Sequence, residues 1–184
     1  FDSSSMDNRT STLYSRFYLH YSTNFIKKTM EFSSFKSEWD GSMAETSPVL
    51  GVIAGAFDII HPGYIEMFDE AANNCDKLFV CLHIDPSVER PLKPKPILSV
   101  DERTHILTSL SQVYYVVPYH TEKDLALYLY ENKFDVRFLG EDYKDKDFTG
   151  KDLDIPIHWI ARDHGWSTTL FKKKIYESVS MNIN

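Results

Sequence analysis

Four clusters of residues in this chain have types and spacings suited to chemistry on phosphate groups. The first is G-A-F-D-I-I-H-P-G-Y, residues 55–64. It follows an apolar, β-branched run and opens a predicted helix, with Pro62 at a first-turn position. A helix start presents unpaired backbone N–H groups at the positive end of a dipole, which is where a phosphate sits. Gly55 is expected to let the backbone turn sharply and Gly63 to let a ligand approach the helix end. His61 and Tyr64 are three residues apart, so both point to the same side of the first turn. Ala56, Phe57 and Asp58 belong to the turn itself. Phe57 is expected to pack, while Asp58 either accepts backbone N–H bonds that shape the turn or touches the substrate.

The second cluster is R-D-H-G-W-S-T-T, residues 162–169. Arg162 offers a planar fork for phosphate oxygens, and Ser167, Thr168 and Thr169 bring hydroxyls to the start of another helix. By composition alone Ser167 and Thr168 are ordinary helix caps. The third is R-P-L-K-P-K, residues 90–95, where prolines stiffen the loop and reduce the entropy lost when Lys93 or Lys95 is fixed on a phosphate. A solvated charge run is the competing reading. Arg103 lies early in a helix whose Ile106, Leu107 and Leu110 are apolar, so it is expected to face a pocket and not bulk solvent. The fourth is G-E-D-Y, residues 140–143, with Gly140, Asp142 and Tyr143 at a predicted strand end.

The elements that carry these clusters alternate between strand and helix patterns. Strands are expected at 49–54, 78–84, 113–117, 135–139 and 155–161. Helices are expected after His61 (Ile65, Phe68, Ala72 and Cys75 forming its apolar stripe), at 100–110, at 121–131 and from 167 to about 178. Repeated strand–helix units imply an α/β, Rossmann-like, doubly wound sheet of five parallel strands with helices on both faces. Ligands of such sheets bind beyond the carboxyl ends of the strands, at the switch in strand order. All four clusters fall at or beside such ends.

Composition excludes several alternatives. The chain has 184 residues, 42% hydrophobic and 14% aromatic, enough for a core in residues 48–184. A net charge of -7 argues against nucleic acid as a partner. No run approaches the length of a membrane span, so no membrane partner is expected. Cys75 and Cys81 have neither metal-ligand nor disulfide-framework spacing and read as reduced, buried residues. Residues 1–47 differ in character: Ser-rich at the front, without an initiator Met, then rich in aromatics from Tyr14 to Trp39. They read as a partly helical or disordered extension without chemistry. The lack of acids between Arg9 and Lys28 faintly resembles an organellar transit segment, and docking of the aromatics on the domain or on a second subunit is a third reading. Met43 could begin a compact domain by itself.

Taken together, G-A-F-D-I-I-H-P-G and the R-x-x-x-x-S-T-T ending, at this spacing and in this frame, resemble the nucleotidyltransferases that include glycerol-3-phosphate cytidylyltransferase and the heptose-phosphate adenylyltransferases. The resemblance spans about residues 49–176. It implies an enzyme that transfers a nucleotidyl group from a triphosphate to a small phosphorylated substrate and releases pyrophosphate. His61, Arg162, Tyr64 and Lys93 would be its catalytic residues. Gly55, Ala56, Phe57, Asp58, Gly63, Lys95, Arg103, Gly140, Asp142, Tyr143, Ser167, Thr168 and Thr169 would bind the nucleotide. It also implies Mg²⁺ carried mainly by phosphate oxygens and water, without a dedicated protein metal site. A cytoplasmic location and a homodimer follow in the same way.

One departure stands out: Tyr64 replaces the family's second histidine. A phenol donates a hydrogen bond but carries no positive charge at neutral pH. A slower enzyme, a reshaped α-phosphate site, or a nucleotide-binding protein without turnover would each follow from it, and activity is the reading adopted. CTP with a glycerol-3-phosphate-like acceptor is expected on the first motif and the compact size. G-E-D-Y resembles the G-D-D-W segment of the glycerol-3-phosphate cytidylyltransferases; ATP with a sugar phosphate is the alternative, because the longer run G-E-D-Y-K-D-K-D-F-T-G is also similar to the heptose-phosphate adenylyltransferases.

Overall fold

Leu50–Gly55, β1, forms the middle of the sheet, and its first four residues are buried. In this computed structural model residues 47–181 are described; the expectations for residues 1–46 lie outside the described residues. β1 feeds α1 (Pro62–Ala72), which leads to β2 (Lys77–His83). Then come α2 (Val100–Thr108), β3 (Tyr115–Tyr119), α3 (Glu122–Glu131) and β4 (Val136–Gly140). A 3₁₀ turn over Glu141–Tyr143, β5 (Ile157–Ile160) and α4 (Thr168–Met181) complete the described chain. Every strand pairing is parallel, in the order β3-β2-β1-β4-β5. The chain therefore runs outward from β1 to β3, returns to β4 on the other side of β1, and leaves a crevice at that switch. This is the expected five-stranded, Rossmann-like architecture.

Strand alternation sends side chains to two cores. On one face Ile53, Leu78, Val80, Leu82 and Phe138 pack with Phe68 and Ala71 of α1 and Leu107 of α2. On the other, Phe79 meets Phe134, which meets Tyr128 of α3, with ring centroids 5.5 and 5.8 Å apart. Gly51 is a glycine because of packing: a Cβ there would come within 2.6 Å of both Cys75 Sγ and the Phe138 ring. Cys75 lies just beyond α1, not within it, and its thiol donates to the Ala71 carbonyl. Burial pushes the Cys75 thiol up to about 11 and the Cys81 thiol up to about 12, so neither is a thiolate near neutrality.

Two helices carry their start signals in sequence. Ser99 with Glu102, and Thr121 with Asp124, form reciprocal capping boxes at α2 and α3. β3 begins two residues later than expected and contains Pro118. That is tolerated because β3 is an edge strand, where a missing N–H need not remove a ladder bond.

Arg103 departs from expectation. Its guanidinium is 2% exposed and lies among backbone carbonyls at the sheet's carboxyl edge. Nε donates to Leu98 and Ser99 at 3.1 and 3.3 Å, Nη1 to Ala56 and His83 at 2.8 Å each, and Nη2 to Ile84 at 2.6 Å. The side chain turns inward because those carbonyls end two strands and a loop, and a buried carbonyl without a donor is costly. Arg103 is thus spent on the scaffold. Arg103→Ala should lower stability by at least about 3 kcal/mol, read as a shift in the urea midpoint. Arg103→Lys, which keeps the charge but loses the fork, should recover only a small part of it.

Candidate functional site

A cleft of about 590 Å³ opens at the carboxyl ends of the strands. It gathers residues from the β1–α1 turn, the end of β4 and the segment before α4. Gly55, Ala56, Phe57, Asp58, His61, Gly63, Tyr64, Lys93, Gly140, Asp142, Tyr143, Arg162, Ser167, Thr168 and Thr169 all line it. Arg103 and Lys95 do not. Arg103 is committed to carbonyls. Lys95 is exposed in the proline loop.

His61 is the N-cap residue of α1, with Pro62 following, and its extended backbone (φ -135°) leaves the imidazole free of any capping bond. The ring is 6% exposed and stacks on Tyr64 with centroids 4.3 Å apart. Nε2 lies 3.4 Å from Thr168 Oγ1, a residue 107 positions away in the chain. Nδ1 is buried without a hydrogen-bond partner among the described residues. An orphaned N–H costs more than an orphaned lone pair, so the proton belongs on Nε2. A neutral imidazole then points its donor at the start of α4. The Tyr64 hydroxyl lies 3.1 Å from the same Thr168 oxygen. Tyr64, Thr168 and His61 thereby join the first turns of α1 and α4.

The tight turn expected at Gly55 is made at Phe57, whose φ is +44°, a conformation uncommon outside glycine. Its ring is held by Tyr64 and Phe68 at 5.4 Å each. A Cβ on Gly55 would come 3.0 Å from that ring. The room left by Gly63 is taken by protein, since a Cβ there would strike His164 and Trp166 at 2.5 and 2.8 Å. Asp58 accepts from the Leu98 N–H at 2.9 Å and is ion-paired with Lys172 of α4. Burial raises its carboxyl pKa, but the Lys172 bond and the loop N–H groups outweigh that and hold it below the usual range. Arg162, half exposed, faces Asp142 at 3.3 Å. Gly140 makes room for that pair, because a Cβ there would lie 2.5 Å from Asp142 Oδ1 and 3.1 Å from Arg162 Nε. Ser167 caps α4 by accepting from the Leu170 N–H at 3.2 Å.

His164, Trp166 and Lys172 also line the cleft and were missed by sequence reasoning. Lys172 had a signal: it stands four residues after Thr168, on the same helix face. Arg137 had another, a charge inside the apolar strand V-R-F-L-G.

The site suits Mg²⁺ carried by phosphates better than a protein cage, because Asp58 and Asp142 are both occupied by cations. Among the described residues, His83, Glu89 and Glu122 bring ligand atoms within 4.8 Å of one another. That group does not fit Mg²⁺. Glu89 accepts from the Glu122 N–H, Glu122 is held by Arg90 and Thr149, and His83 Nε2 bonds the His120 carbonyl.

Residues 52–174 match the cytidylyltransferase-like family. The chain belongs to that family, and so to the nucleotidyltransferases. Among its relatives, bifunctional protein HldE of Aliarcobacter butzleri (strain RM4018) is 36% identical over 130 residues, covering 70% of this chain and 27% of that protein. Bifunctional protein HldE of Granulibacter bethesdensis is 30% identical over 159 residues, covering 84% of this chain and 32% of that protein. The chain thus spans about a third or less of the length of these relatives. The crystal structure of a lipopolysaccharide core biosynthesis protein from Thermoplasma volcanium GSS1 is similar at a TM-score of 0.51 and 25% identity, over 62% of this chain and 96% of that one. Among the described residues of this family member, no helix is long and apolar enough to cross a membrane.

Burial, and then the neighbouring His164 and Arg162, hold His61 below its ordinary value of 6.5. Burial does the same to His83, against the opposing pull of Glu122. An unfolded chain regains the ordinary values, so below about pH 6.5 it binds protons that the folded chain refuses. Stability present above that pH is therefore lost as pH falls toward the depressed values. Melting curves from pH 7.5 to 5 should show a falling Tm, with a shallower slope in His61→Gln; an identical slope would remove His61 from the responsible groups.

Proposed function

We propose that this chain transfers a nucleotidyl group from a nucleoside triphosphate to the phosphate of a small sugar or polyol. An oxygen of the acceptor phosphate bonds to the α-phosphorus while the bond to the α–β bridging oxygen breaks, and pyrophosphate leaves. The observation that carries this reading is the meeting of His61 Nε2 and Thr168 Oγ1 at two helix starts, in one cleft with Arg162. Neutral His61 donates a hydrogen bond to the α-phosphate, and an arriving anion raises its affinity for a second proton. Arg162 and Lys172 exchange their carboxylate partners for phosphate oxygens, and Lys93 supplies a further cation from the loop. Catalysis of this kind is positioning and charge neutralisation, without a covalent enzyme intermediate. Mg²⁺ bound with the triphosphate would neutralise part of its charge. Tyr64 positions Thr168 and His61 through its hydroxyl and stacked ring, which supports turnover despite the missing second histidine.

The HldE relatives and the lipopolysaccharide-core neighbour favour a sugar phosphate as acceptor, and with it ATP, the second choice on sequence alone. CTP with a glycerol-3-phosphate-like acceptor keeps one observation in its favour, the G-E-D-Y segment lining the cleft beside Arg162. A homodimer belongs to the same reading: α4 exposes Ile175 and Val179, four residues apart. Sedimentation of the full chain should give twice the monomer mass, and Ile175→Glu with Val179→Glu should halve it.

Screening the four triphosphates against small phosphate acceptors should reveal one pair that releases pyrophosphate. His61→Ala should reduce that rate about 100- to 1,000-fold. Nucleotide binding without release in any combination would leave a binding protein instead. In the active pair, Tyr64→His should change the rate by less than about tenfold if the phenol acts through position and not charge.

A further inference from the structure

Beyond His61 the cleft continues between β4 and the start of α3, where Tyr119, Glu122 and Arg137 share its wall. Arg137 has no role in the reading above, yet it is a charged residue inside a central strand and only 4% exposed. Its Nη1 donates to the Thr149 carbonyl, and its guanidinium carbon lies 5.2 Å from the centre of the Phe148 ring. Gly150, at φ +75°, lets the loop pass, because a Cβ there would come within 3.0 Å of that nitrogen. Nε and Nη2 have no protein partner among the described residues, and no carboxylate there lies within ion-pair distance. The Tyr119 ring stacks on His83 with centroids 4.6 Å apart. Its hydroxyl likewise has no protein partner among the described residues. Five N–H groups on a guanidinium that cannot shed its charge require oxygen acceptors when buried. One carbonyl answers one of them.

The charge around this end decides what those acceptors are. Arg137 faces Glu122, which is already paired with Arg90 and whose N–H is bonded by Glu89, so two cations stand with two carboxylates here. A second full anion would gain little net field here. A neutral, oxygen-rich group gains donors from Arg137 and Tyr119. Resting on the nucleotidyl-transfer reading, we infer that this end of the cleft is the acceptor's specificity subsite. In it Arg137 and Tyr119 donate to the hydroxyl groups of a neutral sugar or polyol chain, while the chain's phosphate lies toward His61. Arg137 is then a substrate-binding residue, not only a strut for the loop at Thr149.

Calorimetric titration of the full chain with mannose 1-phosphate, glucose 1-phosphate, glycerol 3-phosphate and inorganic phosphate tests this without requiring turnover. At least one of the organic phosphates should bind about tenfold more tightly than inorganic phosphate. Tyr119→Phe, which removes only the hydroxyl and keeps the packing, should weaken that probe by up to about tenfold, and Arg137→Lys by about 10- to 100-fold. Inorganic phosphate and triphosphate binding should be unchanged in both. Equal weakening of inorganic phosphate would reduce Arg137 to a structural role and overturn the inference, as would the absence of any probe tighter than inorganic phosphate. Tighter binding of 3-phosphoglycerate than of glycerol 3-phosphate, lost in Arg137→Lys, would make this an anion site and overturn it too. Should Arg137→Lys fail to fold, Tyr119→Phe decides alone. Hydroxyl-dependent binding without pyrophosphate release would sink the transfer reading and leave the subsite standing.

Discussion

Five backbone carbonyls converge on one guanidinium at the carboxyl edge of the sheet, and the geometry of the cleft depends on that convergence. Parallel strands that end together leave carbonyls pointing past the sheet, and a loop packed over them shuts out water. Arg103 satisfies the carbonyls of Ala56, His83 and Ile84 after β1 and β2 and those of Leu98 and Ser99 at the end of the proline loop. Asp58 ties the same loop from the other side through the Leu98 N–H. These bonds hold both ends of the turn that carries Phe57 at positive φ and leads to His61 at the start of α1.

A second feature is the state of the cations near His61. Arg162 rests on Asp142 and Lys172 on Asp58, so the cleft holds these positive groups against carboxylates. The Arg162 pair is half exposed, and such pairs contribute little stability, roughly 0–1 kcal/mol. Exchanging that partner for another anion costs correspondingly little. The Lys172 pair is more enclosed and braces α4 against the β1–α1 turn. Its position one turn beyond Thr168 brings a charge to the helix start that already meets His61 and Tyr64.

Much of this was readable in order along the chain. The β-branched run before Gly55 and Pro62 after His61 are local signals. Each acts through the backbone of a few neighbouring residues, so sequence carries it. The H-P-G-Y and R-x-x-x-x-S-T-T segments were readable as helix starts for the same reason, and their shared family frame placed them at strand ends. Boundaries were less secure: the strand expected from Val113 begins at Tyr115, where its pairing with β2 starts.

What sequence could not decide is the direction of side chains whose partners are remote. Arg103 looked like a pocket residue by its neighbours on α2, and only the gathering of carbonyls from three separate segments turned it inward. Gly63 looked like room for a ligand, and the loop around His164 and Trp166 fills that room instead. Lys172 and Arg137 gave single, unassigned charges until folding set one against Asp58 and left the other facing the cleft. Local hydrogen bonding and periodicity settle within about one turn of chain. Burial and ion pairing are set by residues tens of positions apart, so only the assembled sheet and its crossovers could determine them.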